Sequence, residues 1–225
     1  MKQQKDLFLR NLKRLGIAAI ALSIGLTACG NKNITAAADC SWAQNPGNTS
    51  DLVAASHYDK APATCITKDT SGTYTATIHT KKGDIAVTLD QHAAPASVNN
   101  FVFLATHHFY DNVLFHRVVS NFVIQAGDPN SAIPGADPAS FGSGGPGYTI
   151  PDEFPKSASV FTQGCMAMAN KGPGTSGSQF FICSADDSKK LAPYYNDFGN
   201  VTSGMNVVSQ IVQGDAITSI DISKS

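Results

Sequence analysis

The sequence predicts a fold dominated by β-structure, a closed antiparallel barrel capped at its ends by two helices. Short runs rich in β-branched and aromatic residues recur from Tyr74 onward, separated by turn formers. Only two segments in that region show helical spacing, one early and one late. There is no internal repeat and no second core, so strands, a helix, more strands and a last helix must pack together.

The elements follow in order. "YTATIHT" (74–80) and "GDIAVTLD" (83–90) lie on either side of "KKGD", a hairpin signal. "APASVNNFVFLATHHFY" (94–110) puts Pro95 near a helix start and Val98, Phe101, Val102 and Ala105 on one face. "VLF" and "FVIQ" (113–115 and 122–125) read as two buried strands joined through Ser120 and Asn121, with Arg117 out of character between them. A lone arginine in such a run can lie along the sheet with its head in water. It can also face a site that needs its charge. Residues 128–153 are loop, rich in proline and glycine, and a loop of that length in a compact domain is functional or tightly packed. Strands return at "VFTQGCMAMA" (160–169) and "SQFFICS" (178–184). A second helix is expected over about Met205–Gln213, where Val207, Val208, Ile211 and Val212 keep helical spacing.

The N-terminus is of another kind. Lys2, Lys5, Arg10, Lys13 and Arg14 precede the apolar run "LGIAAIALSIGLTA", too short for a comfortable membrane span and laid out as a signal peptide. "LTAC" resembles the lipobox of bacterial lipoproteins, which implies that residues 1–28 are removed and that Cys29 becomes a lipidated first residue. A plain secretory signal is the alternative. Two or three acyl chains make a stable anchor, so the expected location is the cell envelope, on the extracytoplasmic side of a bacterial membrane. Residues 29–72 read as a tether and a small collar, and residues 73–225 as the folded domain.

Loss of residues 1–28 removes five of the 16 basic residues and one of the 17 acidic ones, leaving an excess of five acidic charges. That balance argues against a nucleic-acid partner and supplies no polybasic membrane patch. Besides Cys29 the chain has Cys40, Cys65, Cys165 and Cys183, an even number for an oxidising compartment. Cys40 and Cys65 are expected to form a bridge that staples the collar. Closure of "CMAMA" on "QFFIC" around Gly174 sets Cys165 opposite Cys183, and these are expected as two neighbouring buried thiols rather than a bridge.

Common catalytic patterns are missing. "GTSGSQ" is not a nucleophile elbow, the six histidines form no H-E-x-x-H, and "GSGGPG" lacks the ending of a phosphate loop. No metal or cofactor is expected.

Three stretches stand out: "FHRVVSNFVIQAGDP" (115–129), "GGPGYTIPDEF" (144–154) and "GCMAMANKGPGTSGSQFFI" (164–182). They resemble the signature segments of the cyclophilins, the cyclosporin-binding family of peptidyl-prolyl isomerases, over about residues 74–223. The resemblance implies an eight-stranded barrel with an active groove on its outer surface. It implies that Arg117 is the catalytic arginine, that Phe122 and Val123 form an apolar floor, and that Gln125 steadies the arginine and the substrate. It further implies that Ala169, Asn170 and Gln179 hold the peptide, that Phe181 walls the proline pocket, and that Leu191 and Tyr195 close it. The best-known members have Trp near Leu191 and His near Tyr195. "SKKLAPYY" has no Trp, the chain's single one being Trp42, so cyclosporin binding is expected to be weakened. Ala126 stands where a glycine is usual. The function implied is isomerisation of proline-containing exported polypeptides. The altered rim motivates an alternative, a catalytically weak proline-peptide binding module or chaperone at the envelope.

Overall fold

The computed structural model describes residues 40–44 and 57–225. The signal segment, Cys29 and most of the tether lie outside the described residues. A single helical turn, α1 (Ser41–Gln44), precedes the hairpin β1 (Tyr74–Thr80) and β2 (Gly83–Leu89). There follow α2 (Pro95–Thr106), β3 (Arg117–Val118), β4 (Val123–Ala126), β5 (Cys165–Met168), β6 (Phe180–Cys183), β7 (Asp197–Ser203), α3 (Met205–Val208) and β8 (Ile217–Lys224). All eight strands join one antiparallel sheet in the order β3-β4-β6-β5-β7-β2-β1-β8.

The sheet is curled but open, which corrects the expectation of a closed barrel. The edge strands β3 and β8 do not pair with each other. Their neighbourhoods meet through an isolated bridge, Leu114 to Ala216, flanked by hydrogen bonds from Phe115 N to Asp215 O (2.8 Å) and Ile217 N to Val113 O (2.9 Å). The chain spends this contact before β3 begins, and β3 is only two residues long. Too little of it remains to continue the ladder.

The hairpin alternates as expected: Tyr74, Ala76 and Ile78 face inward from β1, and Ile85, Val87 and Leu89 from β2. β5 and β6 behave differently, with every residue buried. Their inner side chains, Met166, Met168, Phe180 and Ile182, join the main core, and their outer ones, Cys165, Ala167, Phe181 and Cys183, join a second apolar cluster with Val123 and Phe161. Strands covered on both faces read as continuous apolar runs, which is how "CMAM" and "FFIC" look in the sequence.

Helix α2 is not a surface cap with one apolar face. All residues from Ser97 to Thr106 are buried, and Phe101 packs against Tyr110, Phe198 and Phe180 at 5.2–5.5 Å between ring centroids. Its buried polar residues are satisfied: Asn99 Oδ1 accepts from Cys65 N and Ile66 N at 2.8 Å, and Asn100 Nδ2 donates to Gly177 O at 2.8 Å. Ala94 offers no side-chain cap, and a distant carboxylate does that work. Glu153 accepts from Ala96 N (2.7 Å) and Ser97 N (2.8 Å) at the positive end of the helix.

The second expected helix is shorter than its apolar spacing suggests. It stops at Val208, and while Val207, Val208 and Ile211 stay buried, Val212 is exposed. The collar is stapled by Cys40–Cys65 as expected, and it borrows its core: Trp42 and Tyr58 meet the Phe103 ring of α2 edge-on at 5.4 and 5.3 Å. Cys165 and Cys183 are bridged, not free, with Cα atoms 5.2 Å apart. The register places them face to face on the outer side, Met166 pairing with Ile182, within the usual reach of about 4.4–6.8 Å for a disulfide.

Candidate functional site

Three adjacent strands set out the site. Arg117 on β3 lies opposite Gln125 on β4, and Gln125 lies opposite Phe181 on β6. The cation, the amide and the aromatic ring therefore stand in one row across the sheet. Arg117 is exposed, and its Nη1 donates to Gln125 Oε1 at 3.4 Å. Gln125 Nε2 donates in turn to Gln179 Oε1 (3.0 Å), and Gln179 Nε2 to Gly144 O (2.8 Å). The chain of amides ends on backbone, which fixes the orientation of each member. No carboxylate pairs with Arg117 among the described residues. Its charge is left for whatever enters the groove.

Beside the arginine is a pocket of about 220 Å³. Val123 and Phe181 form its buried floor, Phe122 and Leu191 its sides, and Tyr195 stands edge-on to Phe181 at 5.4 Å between centroids. Ala169 and Asn170 complete the lining, together with Arg117 and Gln125. Gln179 lies next door, in a more polar depression of about 250 Å³ shared with residues 142–146. Thus nine of the ten groove residues expected from the sequence line one pocket and the tenth is hydrogen-bonded to it. Cys29 lies outside the described residues.

The glycine-rich segment lining the polar depression is held from below. Asp128, fully buried, accepts from Gly144 N (3.0 Å), Gly142 N and Asn130 N (2.8 Å). A Cβ at Gly144 would collide with Asp128 Oδ1. His116, next to Arg117, packs near Gly142, and burial holds its imidazole below the usual histidine range. It therefore adds no second positive charge at neutral pH.

Sequence reasoning missed Lys190. Its Nζ donates to Asp187 Oδ1 (2.7 Å) and to Asn121 O (2.6 Å), and it sits 5.6 Å from the centroid of Phe122. Arg117 Cζ lies 5.9 Å from the same ring. Phe122 is therefore braced by a pinned cation as well as approached by the free one. The only signal was an acid and a base three apart in "DDSKK", which reads as solvated charge. Among the described residues no cluster of His, Cys, Asp or Glu could hold a metal ion.

An exposed guanidinium beside an apolar pocket floored by Val123 and Phe181 defines a class of site suited to binding and polarising a ligand without covalent chemistry. The comparisons give that class its family. The model of the cyclophilin type peptidyl-prolyl cis-trans isomerases matches residues 75–224. A peptidyl-prolyl cis-trans isomerase of Helicobacter pylori is 41% identical over 152 residues, covering 67% of this chain and 87% of that protein. Peptidyl-prolyl cis-trans isomerase A of Mycobacterium tuberculosis is 42% identical over 132 residues, covering 52% of this chain and 68% of the relative. A Cryptosporidium parvum cyclophilin, crystallised in the presence of the dipeptide Ala-Pro, superposes with a TM-score of 0.54 at 28% identity, over 67% of this chain and 98% of that one. The chain belongs to the cyclophilin-type peptidyl-prolyl cis-trans isomerase family.

Proposed function

We propose that this isomerase acts on X-Pro bonds of exported polypeptides, at the outer side of a bacterial membrane, where lipid on Cys29 tethers it. Family membership shows the enzyme class. The row Arg117–Gln125–Phe181 carries the mechanism.

Rotation about a prolyl bond faces a barrier of about 18–20 kcal/mol because the nitrogen lone pair is delocalised into the carbonyl. Unassisted, it takes tens of seconds or longer. Reaching milliseconds requires a rate gain of roughly 10⁴, or about 5.5 kcal/mol of stabilisation felt in the transition state alone. As the bond twists, the nitrogen becomes pyramidal and basic. A donor held over it, Arg117, bonds it there but hardly at all in the planar amide. One such donor contributes about 2.7–4 kcal/mol. The remainder falls to the pocket of Phe122, Val123 and Phe181, which binds the ring and removes water from an amide whose charge-separated form water favours. No proton moves and no bond to carbon forms.

The export reading is supported by the basic and apolar N-terminus, the "LTAC" segment and the cysteines outside it, all paired. A protease-coupled assay on a short proline peptide tests the activity. Peptide binding without turnover would leave only a binding module. Cyclosporin should inhibit less well than it inhibits family members with a tryptophan at the rim, since Lys190 and Leu191 replace an indole N–H and its area, a loss of about 1–3 kcal/mol. Equal inhibition would show the rim to be irrelevant.

A further inference from the structure

On the far side of Tyr195 the surface dips again, into a pocket of about 450 Å³ lined by Phe154, Pro173, Ala192 and the Tyr194–Tyr195 pair, with Lys171 as the charged member. It shares Tyr195 and Asn170 with the prolyl pocket. The two tyrosines turn opposite ways. The Tyr195 ring meets Phe181 at 5.4 Å in the prolyl pocket, and the Tyr194 ring meets Phe154 edge-on at 5.9 Å in the second one. Asn170 Nδ2 donates to Tyr194 O at 2.8 Å, so the partition between the pockets is tied to a residue that already lines both. Tyr194 is nevertheless 62% exposed, more than any other large apolar side chain among the described residues. A ring held that open adds little to the core and leaves its face accessible to a ligand.

We propose that this pocket is a subsite of the same groove and takes an aromatic side chain of the client, two residues from its proline. The proposal rests on the isomerase reading of the prolyl pocket. Side chains two apart on an extended peptide share a face and stand roughly 7 Å from each other, a step that clears a partition made of one residue. The walls offer aromatic edges and faces, which select a ring over a polar chain. Lys171, with no carboxylate among the lining residues, disfavours a basic side chain and favours the face of a ring.

The test compares turnover of proline peptides carrying Phe, Ala or Lys two residues before or two residues after the proline, followed by exchange NMR so that no coupling protease intervenes. The full chain is compared with Tyr194→Ala, which opens the pocket, and Ala192→Trp, which fills it. In one of the two registers Phe should raise kcat/KM about tenfold over Ala, the equivalent of ~1.4 kcal/mol. Both substitutions should erase that advantage and leave turnover of the Ala peptide unchanged. Equal turnover of Phe and Ala peptides by the parent overturns the subsite while the isomerase reading stands, and so does a preference that survives both substitutions. Failure to turn over any peptide overturns the isomerase reading and the subsite with it. If Tyr194→Ala instead dissociates a dimer in sedimentation, the pocket belongs to a second copy of the chain and the proposal is wrong.

Discussion

Among the described residues the guanidinium of Arg117 has one protein acceptor, Gln125 Oε1 at 3.4 Å, and little is lost when a substrate takes its place. Because the side chain is exposed and outside both apolar clusters, Arg117→Ala should cut kcat/KM by roughly 10²–10³ and leave thermal stability unchanged. Loss of turnover accompanied by unfolding, or turnover within threefold of the parent, would refute its role. Asp197 shows the opposite behaviour, a charge the fold does not want. Its carboxyl is pushed up to about 7, first by burial and then by the charge of Asp90, and its Oδ1 is buried without a partner. The folded state thus keeps a proton that the unfolded chain gives up near pH 3.8, and stability should fall as pH rises from about 4 to 7 and level off above. Asp197→Asn should flatten that slope and raise the melting temperature at pH 8, as thermal melts across the range would show. Unaltered pH dependence would mean that the carboxyl ionises freely. Arg117 and Phe181 were legible because a charge inside a strand pattern and an aromatic inside a signature stretch are conspicuous. Lys190 was not, because what pins it beside Phe122 is its bond to the buried Asp187, and burial belongs to the fold.

At the level of elements, β5 and β6 matter most, since one face of each carries the core and the other the second apolar cluster, from which Phe181 of β6 reaches the floor of the pocket beside Arg117. Their register was legible from the loop that joins them, because antiparallel partners sum to a constant and Gly174 marks the midpoint. The bond between Cys165 and Cys183 was not, because it depends on a separation of a fraction of an ångström that spacing cannot give. With both pairs bridged, denatured but unreduced protein should show no thiol at Cys40, Cys65, Cys165 or Cys183 on alkylation and mass mapping. Two labelled cysteines at 165 and 183 would restore the free-thiol state. The open edge at β3 and the one-turn α3 were also illegible. Apolar spacing records which side chains point inward, and it says nothing of whether the backbone between them completes a ladder or a helix.

For the whole molecule, the proposed function makes lipid on Cys29 the determinant of where the chemistry takes place. Cys29 should carry diacylglycerol, and Cys29→Ala should move the protein from the membrane to the soluble fraction. An unmodified N-terminus in mass spectrometry of the mature protein, or a membrane fraction unaffected by the substitution, would remove the anchor. The sheet itself imposes an order in time. β1 pairs along its whole length with β8, Tyr74 opposite Lys224, and the backbone of Thr73 exchanges two hydrogen bonds with Ser225 (2.9 and 3.1 Å). The edge of β1 that faces β8 therefore stays uncovered until the last strand arrives. A contact that spans nearly the whole domain makes for slow folding, with a sticky strand edge exposed meanwhile. The opposite edge of β1 is covered locally by β2, which follows it directly in the chain. A member of a prolyl-isomerase family thus closes one edge of its own sheet only when segments from the two extremes of the domain meet.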